Sequence, residues 1–325
     1  MYRQGVLTPD VAIVQTSLPD VNGYCSLGTS VDCTLAAFQT AGTRVAHVNA
    51  FMPRTMGDGI VHMSEFDSVF FKDRPLPEHK QVPVSDVERK IGRLIAENLV
   101  EDGATLQMGI GGLPNAVFEA LKNHKDLGIH SEMFSDGVLP LVESGVINNT
   151  KKTHFPGKLV TSFCVGSKPL YDFLDCNEDV LFMELSYTNK LQVVASQHKM
   201  TAINSCIEVD LTGQVCSDSI GTEIYSGIGG QADFILGASL HPEGKSIIAL
   251  PSQTHKGIPR IVPTLKPGAG VVTTRAMVRY VVTEYGIANL YGKTLPERAK
   301  ELIRIAHPND REALEREAFA RFGGY

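Results

Sequence analysis

The alternation of helical and strand-like segments from Ser85 to Gly145 is the feature that most restricts how this chain of 325 residues folds. Ser85 and Glu88 have the spacing of a capping box, and apolar residues recur after them at helical intervals. ATLQMGI then predicts a strand, Pro114 suits the first turn of a second helix, and LGIHSEMF (residues 127–134) predicts another strand. GVLPLVESG returns to a helical pattern. This order is typical of a parallel α/β sheet.

An internal similarity suggests two related halves. VAIVQTSLPDVNGYCS and TAINSCIEVDLTGQVC each join an apolar strand to an Asp-x-x-Gly turn, at residues 20–23 and 210–213. The run KDRPLPEHKQVPVSD, with its three prolines, separates them. We therefore predict an α/β protein with two similarly built open domains. Residues 1–71 form the first, 72–85 a Pro-rich linker and 86–325 the second; the first is short for a domain of roughly 100–150 residues and is expected to be incomplete at its amino terminus.

Composition narrows the function classes. Hydrophobic residues make up 43% and charged residues 20%, as in ordinary soluble globular proteins. A net charge of −6 argues against general nucleic-acid binding, and no apolar run approaches the ~18 residues that cross a bilayer. The six cysteines contain no Cys-x-x-Cys pair, which indicates reduced thiols in an intracellular compartment such as the bacterial cytoplasm or the mitochondrial matrix.

Two Gly-Ile-Gly-Gly turns, at residues 109–112 and 227–230, are candidate ligand sites. The first joins a predicted strand to a helix, where bare backbone N–H groups and the helix N-terminus favour the approach of a ligand. The second precedes ADFILGA, which we interpret as a strand, and its N–H groups, including that of Gly229, suit an oxyanion hole. Neither turn has the spacing of a Walker loop or a dinucleotide fingerprint. For each, a purely structural turn is equally well supported.

Glu132 is the candidate catalytic residue. It lies at the end of the predicted strand 127–134, and the ends of successive parallel strands meet at one edge of a sheet. We therefore expect its carboxylate to lie beside the first glycine turn. A structural or solvated glutamate is the alternative, and the sequence leaves the two evenly balanced.

Two cations that follow the predicted strand IIALP, Lys256 and Arg260, are candidates for contact with phosphate groups. The alternative is that both are solvated surface charges, which is the commoner role of such residues.

These segments resemble the acetyl-CoA hydrolase/transferase family of CoA-transferases, in particular the 4-hydroxybutyrate and butyryl-CoA:acetate type. The resemblance rests on a set of motifs that runs from about residue 10 to the end of the chain: PDVNGYCSLG, LQMGIGGLPNAV, GIHSEMFSDGV, NSCIEVDLTGQV, YSGIGGQADF and VVTEYGIANLYGKTLPERAKELIRIAHP. Each motif is weak alone, and the set is specific.

The resemblance implies a ping-pong acyl-CoA:carboxylate CoA-transferase that passes through a glutamyl-CoA thioester on Glu132. The CoA-contacting positions that it implies are Gln107, Met108, Gly109, Ile110, Gly111, Ile207 and Gly230. It implies no metal and no permanently bound cofactor, since the CoA thioester is a substrate. The expected partners are an acyl-CoA and a short-chain carboxylate, with no nucleic acid and no membrane, and family habit favours a homo-oligomer. An acyl-CoA hydrolase using the same glutamate and an inactive CoA-binding chain are the alternatives.

Overall fold

The computed structural model describes residues 1–79 and 83–323, so residues 80–82 of the predicted linker lie outside the described part. The described strands are short, and in chain order they are β1 (Val11–Thr16), β2 (Tyr24–Ser26), β3 (Thr43–Val48), β4 (Met56–Gly57), β5 (Ile60–His62), β6 (Ser68–Phe71), β7 (Thr105–Met108), β8 (Gly128–Ile129), β9 (Met133–Phe134), β10 (Leu159–Thr161), β11 (Phe163–Cys164), β12 (Val180–Phe182), β13 (Thr201–Ser205), β14 (Glu208–Asp210), β15 (Val215–Cys216), β16 (Ser219–Ile220), β17 (Glu223–Ile224), β18 (Lys245–Ala249), β19 (Ile261–Val262), β20 (Tyr280–Thr283) and β21 (Gly286–Asn289).

The described α-helices are α1 (Thr34–Thr40), α2 (Asp86–Asn98), α3 (Gly112–Ala120), α4 (Leu139–Glu143), α5 (Lys168–Leu174), α6 (Leu185–Thr188), α7 (Leu191–Ser196), α8 (Gln231–Leu240), α9 (Leu295–Ile305) and α10 (Pro308–Phe322). Three short 3-10 turns accompany them, at Tyr2–Gln4, Met63–Glu65 and Asp136–Val138. In the described ranges, no helix combines the length and the apolar character that crossing a membrane requires.

A six-stranded sheet with the order β21-β20-β18-β13-β7-β8 forms the centre of the larger part of the chain. Every neighbouring pair in it is parallel except β20 and β21. The predicted parallel α/β fold is therefore confirmed. Because the five parallel strands point the same way, the loops that follow β7, β8, β13, β18 and β20 all lie at one edge of the sheet.

The predicted capping box starts the helix that leads into this sheet. The Glu88 N–H donates to the Ser85 hydroxyl at 3.2 Å, and the Ser85 N–H donates to the Glu88 carboxylate at 2.8 Å. Ile91 and Ile95 are fully buried on the inner face of α2. The helix also packs closely on α3, since a Cβ added at Gly92 would lie 2.6 Å from the Ala116 backbone. The spacing seen in the sequence therefore fixes both where α2 starts and which face it buries.

The predicted strand over residues 127–134 is wrong in one respect. Only residues 128–129 pair with β7, and the chain then leaves the six-stranded sheet. The Ser131 N–H donates to the Val160 carbonyl at 3.1 Å, and β9 pairs with β11 in a separate two-stranded sheet. One apolar run thus supplies strands to two sheets, and Glu132 lies between them.

The segment ADFILGA, interpreted from the sequence as a strand, is helical and belongs to α8. Gly230 is the N-cap of this helix, and Phe234 and Ile235 are fully buried in it. A short apolar run without clear periodicity fits a buried strand and a buried helix equally well. The second glycine turn therefore leads into a helix N-terminus, as the first one does.

The amino-terminal segment forms a parallel sheet of its own, with the order β1-β3-β6. It is not isolated from the rest of the chain: β4 pairs with β12, and one hydrophobic core cluster includes Val14 together with Ile95 and Val282. The boundary predicted at residue 71 stays a prediction.

The two Asp-x-x-Gly turns have matching geometry. In each, an oxygen of the Asp20 or Asp210 side chain accepts a bond from the N–H two residues later, at 2.9 and 2.8 Å. The N–H of Gly23 or Gly213 donates to the carbonyl of the same aspartate, at 3.0 and 2.9 Å. Both glycines have positive φ, 84° and 92°, a conformation that other residues rarely adopt. The similarity noted in the sequence is thus a repeated structural unit.

Candidate active site

Backbone hydrogen bonds fix the position of Glu132. Its carbonyl oxygen accepts from the N–H groups of Ser162 and Phe163, at 2.9 and 3.1 Å, and the Thr161 hydroxyl lies 3.2 Å away. These donors belong to the segment of β10 and β11, which runs alongside. The direction of the Glu132 side chain is therefore set by the way the chain crosses between two sheets.

The Glu132 carboxylate is half-buried and faces the second glycine turn. Its Oε2 accepts a bond from Nδ2 of Asn189 at 3.0 Å, and the same Nδ2 lies 3.2 Å from Oδ2 of Asp233. A methyl group added at Gly230 would overlap Oε2 of Glu132. The partner of this carboxylate is thus a neutral amide, and the ion pairs in the described part of the chain involve other acids. The structure does not support an ion pair as its role.

The first glycine turn lies close to Glu132 through its neighbour in sequence. The Ser131 hydroxyl is 3.1 Å from the Met108 carbonyl, which immediately precedes Gly109. A Cβ built on Gly109 or on Gly111 would meet no atom within 4 Å, so the outer side of the turn is open. Ile110 at its tip is 41% exposed. The bare backbone of this turn therefore lies close in space to the residue that precedes Glu132.

The side chains of the two strand residues before this turn are buried. Met108 is 3% exposed and Gln107 is 5% exposed. The Gln107 amide pairs with that of Asn204 on β13, which donates to Oε1 at 2.8 Å and accepts from Nε2 at 3.3 Å. These side chains support the turn from below, which leaves the backbone of residues 109–111 as the accessible part of the predicted segment.

Ile207 lies just beyond β13, at the same sheet edge. Its N–H donates to the Cys216 carbonyl at 2.8 Å, a bond that is repeated between Ser17 and Ser26 in the first half, at 2.9 Å. The Arg260 guanidinium donates to the Ile207 carbonyl at 3.0 Å and also to the Cys206 carbonyl. Arg260 is therefore not a solvated surface charge, because it holds the backbone of this segment, and its contact with a phosphate group stays a prediction.

Gly229 is exposed and has a φ of 60°. A Cβ there would meet no atom within 4 Å, so its backbone is open like that of the first turn. Of the two Gly-Ile-Gly-Gly turns, the second thus contacts the Glu132 carboxylate at Gly230, and the first lies next to Ser131. The assignment of an oxyanion hole to Gly229 stays a prediction.

Asn189 is the residue of this site that the sequence did not identify. It follows α6 and lies 57 positions after Glu132 in the chain. No motif surrounds it, and a lone asparagine after a short helix is ordinary end-of-helix chemistry. Only the three-dimensional contact shows its connection with the carboxylate.

His130 supports Asn189 from beneath. The ring is fully buried; its Nε2 lies 2.8 Å from the Thr188 carbonyl, and its Nδ1 lies 3.2 Å from the Gln197 amide nitrogen. With Nε2 as donor and Nδ1 as acceptor, both contacts fit the neutral imidazole. Burial, and to a lesser extent the charge of Lys152, lowers the pKa of His130 to about 3.

This burial predicts acid sensitivity. The unfolded chain takes up a proton at the usual His pKa of 6.5, whereas folded His130 stays neutral until about pH 3. The free energy of unfolding should therefore fall as the pH drops through this window, by up to ~1.4 kcal/mol per pH unit from this group. Urea unfolding of His130→Gln at several pH values should show a shallower slope than wild type. The exposed His255→Gln is the control, and equal slopes in all three proteins would contradict the assignment.

All six cysteines are free thiols, and four of them are buried. Burial raises the pKa of Cys206, the thiol nearest to Ile207 in sequence, to about 12. Across the described residues, no group of three or more His, Cys, Asp or Glu side chains is arranged to hold a metal ion.

Comparison with known proteins adds to this geometry. Residues 1–79 match the acetyl-CoA hydrolase/transferase N-terminal domain, and residues 166–318 match the acetyl-CoA hydrolase/transferase C-terminal domain. The chain is 54% identical over 323 residues to a succinyl-CoA:acetate/propanoyl-CoA:succinate CoA transferase of Fasciola hepatica, covering 99% of this chain and 68% of the relative. It is 52% identical to a 4-hydroxybutyrate coenzyme A transferase of Clostridium kluyveri, covering 99% of this chain and 75% of that protein.

A solved structure agrees with the fold. The crystal structure of 4-hydroxybutyrate CoA-transferase from Porphyromonas gingivalis superimposes with a TM-score of 0.89 at 46% identity, covering 99% of this chain and 77% of the other. Sequence identity and fold thus agree over nearly the whole chain. The protein belongs to the acetyl-CoA hydrolase/transferase family.

Proposed function

We propose that this protein transfers CoA between a short-chain acyl-CoA and a carboxylate, with Glu132 as the covalent carrier. The observation that carries the proposal is the placement of one half-buried carboxylate against Gly230 of the second open glycine turn, with the neighbouring Ser131 bonded to the residue before the first. Thioester chemistry needs a nucleophile and nearby N–H donors that stabilise an oxyanion. The named relatives act on acyl-CoA substrates of this kind.

In the first half-reaction, a carboxylate oxygen of Glu132 attacks the thioester carbonyl of the acyl-CoA. The C–S bond breaks, which gives an acyl-glutamyl anhydride and the CoA thiolate. The thiolate then attacks the glutamyl carbonyl, so that the donor acid leaves as a carboxylate and a glutamyl-CoA thioester remains. No proton is gained or lost overall.

In the second half-reaction, the acceptor carboxylate attacks the glutamyl-CoA thioester and again forms an anhydride and the CoA thiolate. The thiolate attacks the carbonyl of the acceptor acyl group, which releases the new acyl-CoA and restores Glu132. Each tetrahedral intermediate carries a negative oxygen. In this proposal, backbone N–H groups of the two glycine turns, at Gly109–Gly111 and at Gly229–Gly230, stabilise it; the open space beside Gly109, Gly111 and Gly229 supports this role.

Incubation with acetyl-CoA and propionate tests the proposal. Propionyl-CoA should form, and mass spectrometry of the digested protein should find CoA attached to the peptide that contains Glu132. With acetyl-CoA alone the adduct should form without a new acyl-CoA. Absence of both the adduct and propionyl-CoA would reject the proposal.

Hydrolysis of acyl-CoA by the same glutamate is the second candidate, since the family also contains hydrolases by name. In that reaction water resolves the glutamyl intermediate, and CoA is released without an acceptor. The two activities separate in one assay: free CoA that accumulates at the same rate with and without propionate would indicate a hydrolase, whereas propionyl-CoA that forms as acetyl-CoA is consumed, without accumulation of free CoA, indicates a transferase.

Asn189 should act as a positioning residue for Glu132. Removal of its amide in Asn189→Ala takes away the described hydrogen bond to Oε2, so the carboxylate should sample other rotamers. A hydrogen bond to a charged group is worth about 1.5–3 kcal/mol, so kcat should fall about 10- to 100-fold. KM for acyl-CoA should change little, because Asn189 is not among the residues predicted to contact CoA. An increase in KM for acyl-CoA with an unchanged kcat would indicate a binding role for Asn189 instead.

A further inference from the structure

A cluster of three basic side chains surrounds Tyr285, at the same sheet edge as Glu132. Nζ of Lys90 lies 5.7 Å from the centre of the Tyr285 ring, and Cζ of Arg311 lies 5.6 Å from it. The His307 ring meets Tyr285 edge-on, with the ring centres 5.5 Å apart. We call Lys90, Tyr285, His307 and Arg311 the Tyr285 cluster.

The cations of this cluster have no acidic partner in the described part of the chain. Lys90 is exposed and takes part in none of the described ion pairs, and the same holds for half-buried Arg311. Nε of Arg311 donates to the Ala306 carbonyl at 3.0 Å, which orients the guanidinium and leaves its terminal nitrogens available. Unpaired cations held over one ring attract an anion.

Three carboxylates lie next to the cluster in sequence, and each is already engaged. Glu312 accepts a bond from Arg316 at 3.2 Å, and the other two accept bonds from neutral donors. Glu284 accepts bonds from the N–H and the hydroxyl of Ser252, at 2.9 and 2.6 Å. Asp310 accepts a bond from the Gln253 amide at 2.8 Å. The bonds to Glu284 tie the loop after β18, which carries the exposed Lys256, to the end of β20, and the bond to Asp310 ties it to the start of α10.

Topology places the cluster on the functional edge of the sheet. Tyr285 follows β20, whose carboxyl end lies on the same side as those of β7 and β8. Lys90 is in the first turns of α2, whose Glu88 side chain abuts the first glycine turn: a Cβ on Gly112 would lie 2.7 Å from Cδ of Glu88. Two helix N-termini, those of α2 and α10, add positive potential at this edge.

The separation suits a long ligand with chemically different ends. Four strand spacings lie between β20 and β8 in the order of the sheet, which is about 19 Å at ~4.8 Å per spacing. CoA carries its reactive thioester at one end of an extended arm and its phosphates at the other. A cationic cluster at one end of the edge and Glu132 at the other fit that arrangement.

We propose that the Tyr285 cluster binds the phosphate groups at the nucleotide end of CoA while the thioester end lies at Glu132, an inference that rests on the proposed function. The guanidinium of Arg311 and the ammonium of Lys90 donate charge-assisted hydrogen bonds to phosphate oxygens. The backbone at Gly109–Gly111 then borders the uncharged arm between the two ends.

Binding of CoA and of pantetheine, which has the thiol arm without phosphates, tests this assignment by calorimetry. The Kd for CoA should rise about tenfold in Lys90→Met and in Arg311→Met, while the Kd for pantetheine should not change. Lys300→Met removes an exposed charge from the neighbouring helix α9 and is the control, with an unchanged Kd for CoA. Inorganic phosphate should displace CoA but not pantetheine.

Three results would overturn the inference: an unchanged Kd for CoA in both variants, an equal weakening of pantetheine binding, or phosphate binding that CoA does not displace. Detection of the glutamyl-CoA adduct distinguishes a failure of the phosphate-site inference from a failure of the proposed function. If wild type forms the adduct and the Lys90 and Arg311 variants bind CoA normally, only the phosphate site is wrong. If CoA binding depends on Lys90 and Arg311 but no adduct forms, only the proposed chemistry is wrong. Wild-type protein that binds no CoA rejects both.

Discussion

Replacement of Glu132 by glutamine should abolish CoA transfer while leaving the protein folded. The amide has nearly the same shape but is a poor nucleophile, so neither the anhydride nor the glutamyl-CoA thioester can form. Removal of a covalent nucleophile lowers turnover by about 10⁴-fold or more. The rate of propionyl-CoA formation from acetyl-CoA and propionate measures this loss, and mass spectrometry should find no adduct on the variant.

Stability and binding must be measured on the same variant. The Glu132 carbonyl holds the bonds to Ser162 and Phe163, which a side-chain change does not remove. The midpoint of urea unfolding and the Kd for CoA should therefore stay close to wild type. Glu143→Gln is the matched control, since Glu143 is an exposed glutamate at the end of α4, and it should retain full activity. A Glu132→Gln protein that turns over at a near-normal rate would refute the catalytic assignment.

Local signals explain which elements were predictable from the sequence. The predicted start of α2 is correct because Ser85 and Glu88 form reciprocal hydrogen bonds within one helical turn, which require no distant contact. The Asp-x-x-Gly turns are recognisable for the same reason, since the bonds that form each turn join the aspartate at 20 or 210 to backbone N–H groups within four positions. Short-range hydrogen bonding leaves a pattern in the sequence.

Long-range contacts leave no such pattern in the sequence. The features that the sequence did not predict correctly are the ones that depend on such contacts. Strand alternation over residues 127–134 does not show that Ser131 bonds to Val160 instead of continuing along β7. The apolar start of α8 has no periodicity that separates helix from strand. Asn189 is an ordinary residue until the fold brings it 3.0 Å from Glu132. The candidate nucleophile could therefore be named from the sequence, whereas its surroundings could not.

The roles of the basic side chains also depend on long-range contacts that the sequence does not show. Arg260 drew attention because it follows a predicted strand, yet the fold uses it to hold two backbone carbonyls. Lys90 and Arg311 are 221 positions apart in the numbering of the chain, and nothing in the sequence relates them. They meet at Tyr285 because the starts of α2 and α10 both lie at the carboxyl edge of the sheet. Convergence of this kind follows from topology and not from motifs.

Substitution of Gly230 by alanine should lower turnover by at least about 10²-fold, the cost that a misplacement of roughly 1 Å can have on positioned groups. The φ of −90° and ψ of 4° at Gly230 are accessible to alanine, so the backbone is not strained. The added methyl would instead overlap Oε2 of Glu132 and lie 2.5 Å from Nδ2 of Asn189. The carboxylate must move, and its hydrogen bond to the amide is lost. The measurement is kcat for CoA transfer, together with urea unfolding.

Gly227→Ala is the matched control, because it belongs to the same Gly-Ile-Gly-Gly turn, has no positive φ, and would place its Cβ in open space. Its kcat should stay within about twofold of wild type, the range of an ordinary surface change of ±0.5 kcal/mol. A loss of activity in both variants would indicate that the turn as a whole must flex. A loss confined to Gly230→Ala would indicate that the bare backbone at this one position makes room for the nucleophile, because only there does a methyl group compete with the carboxylate for space.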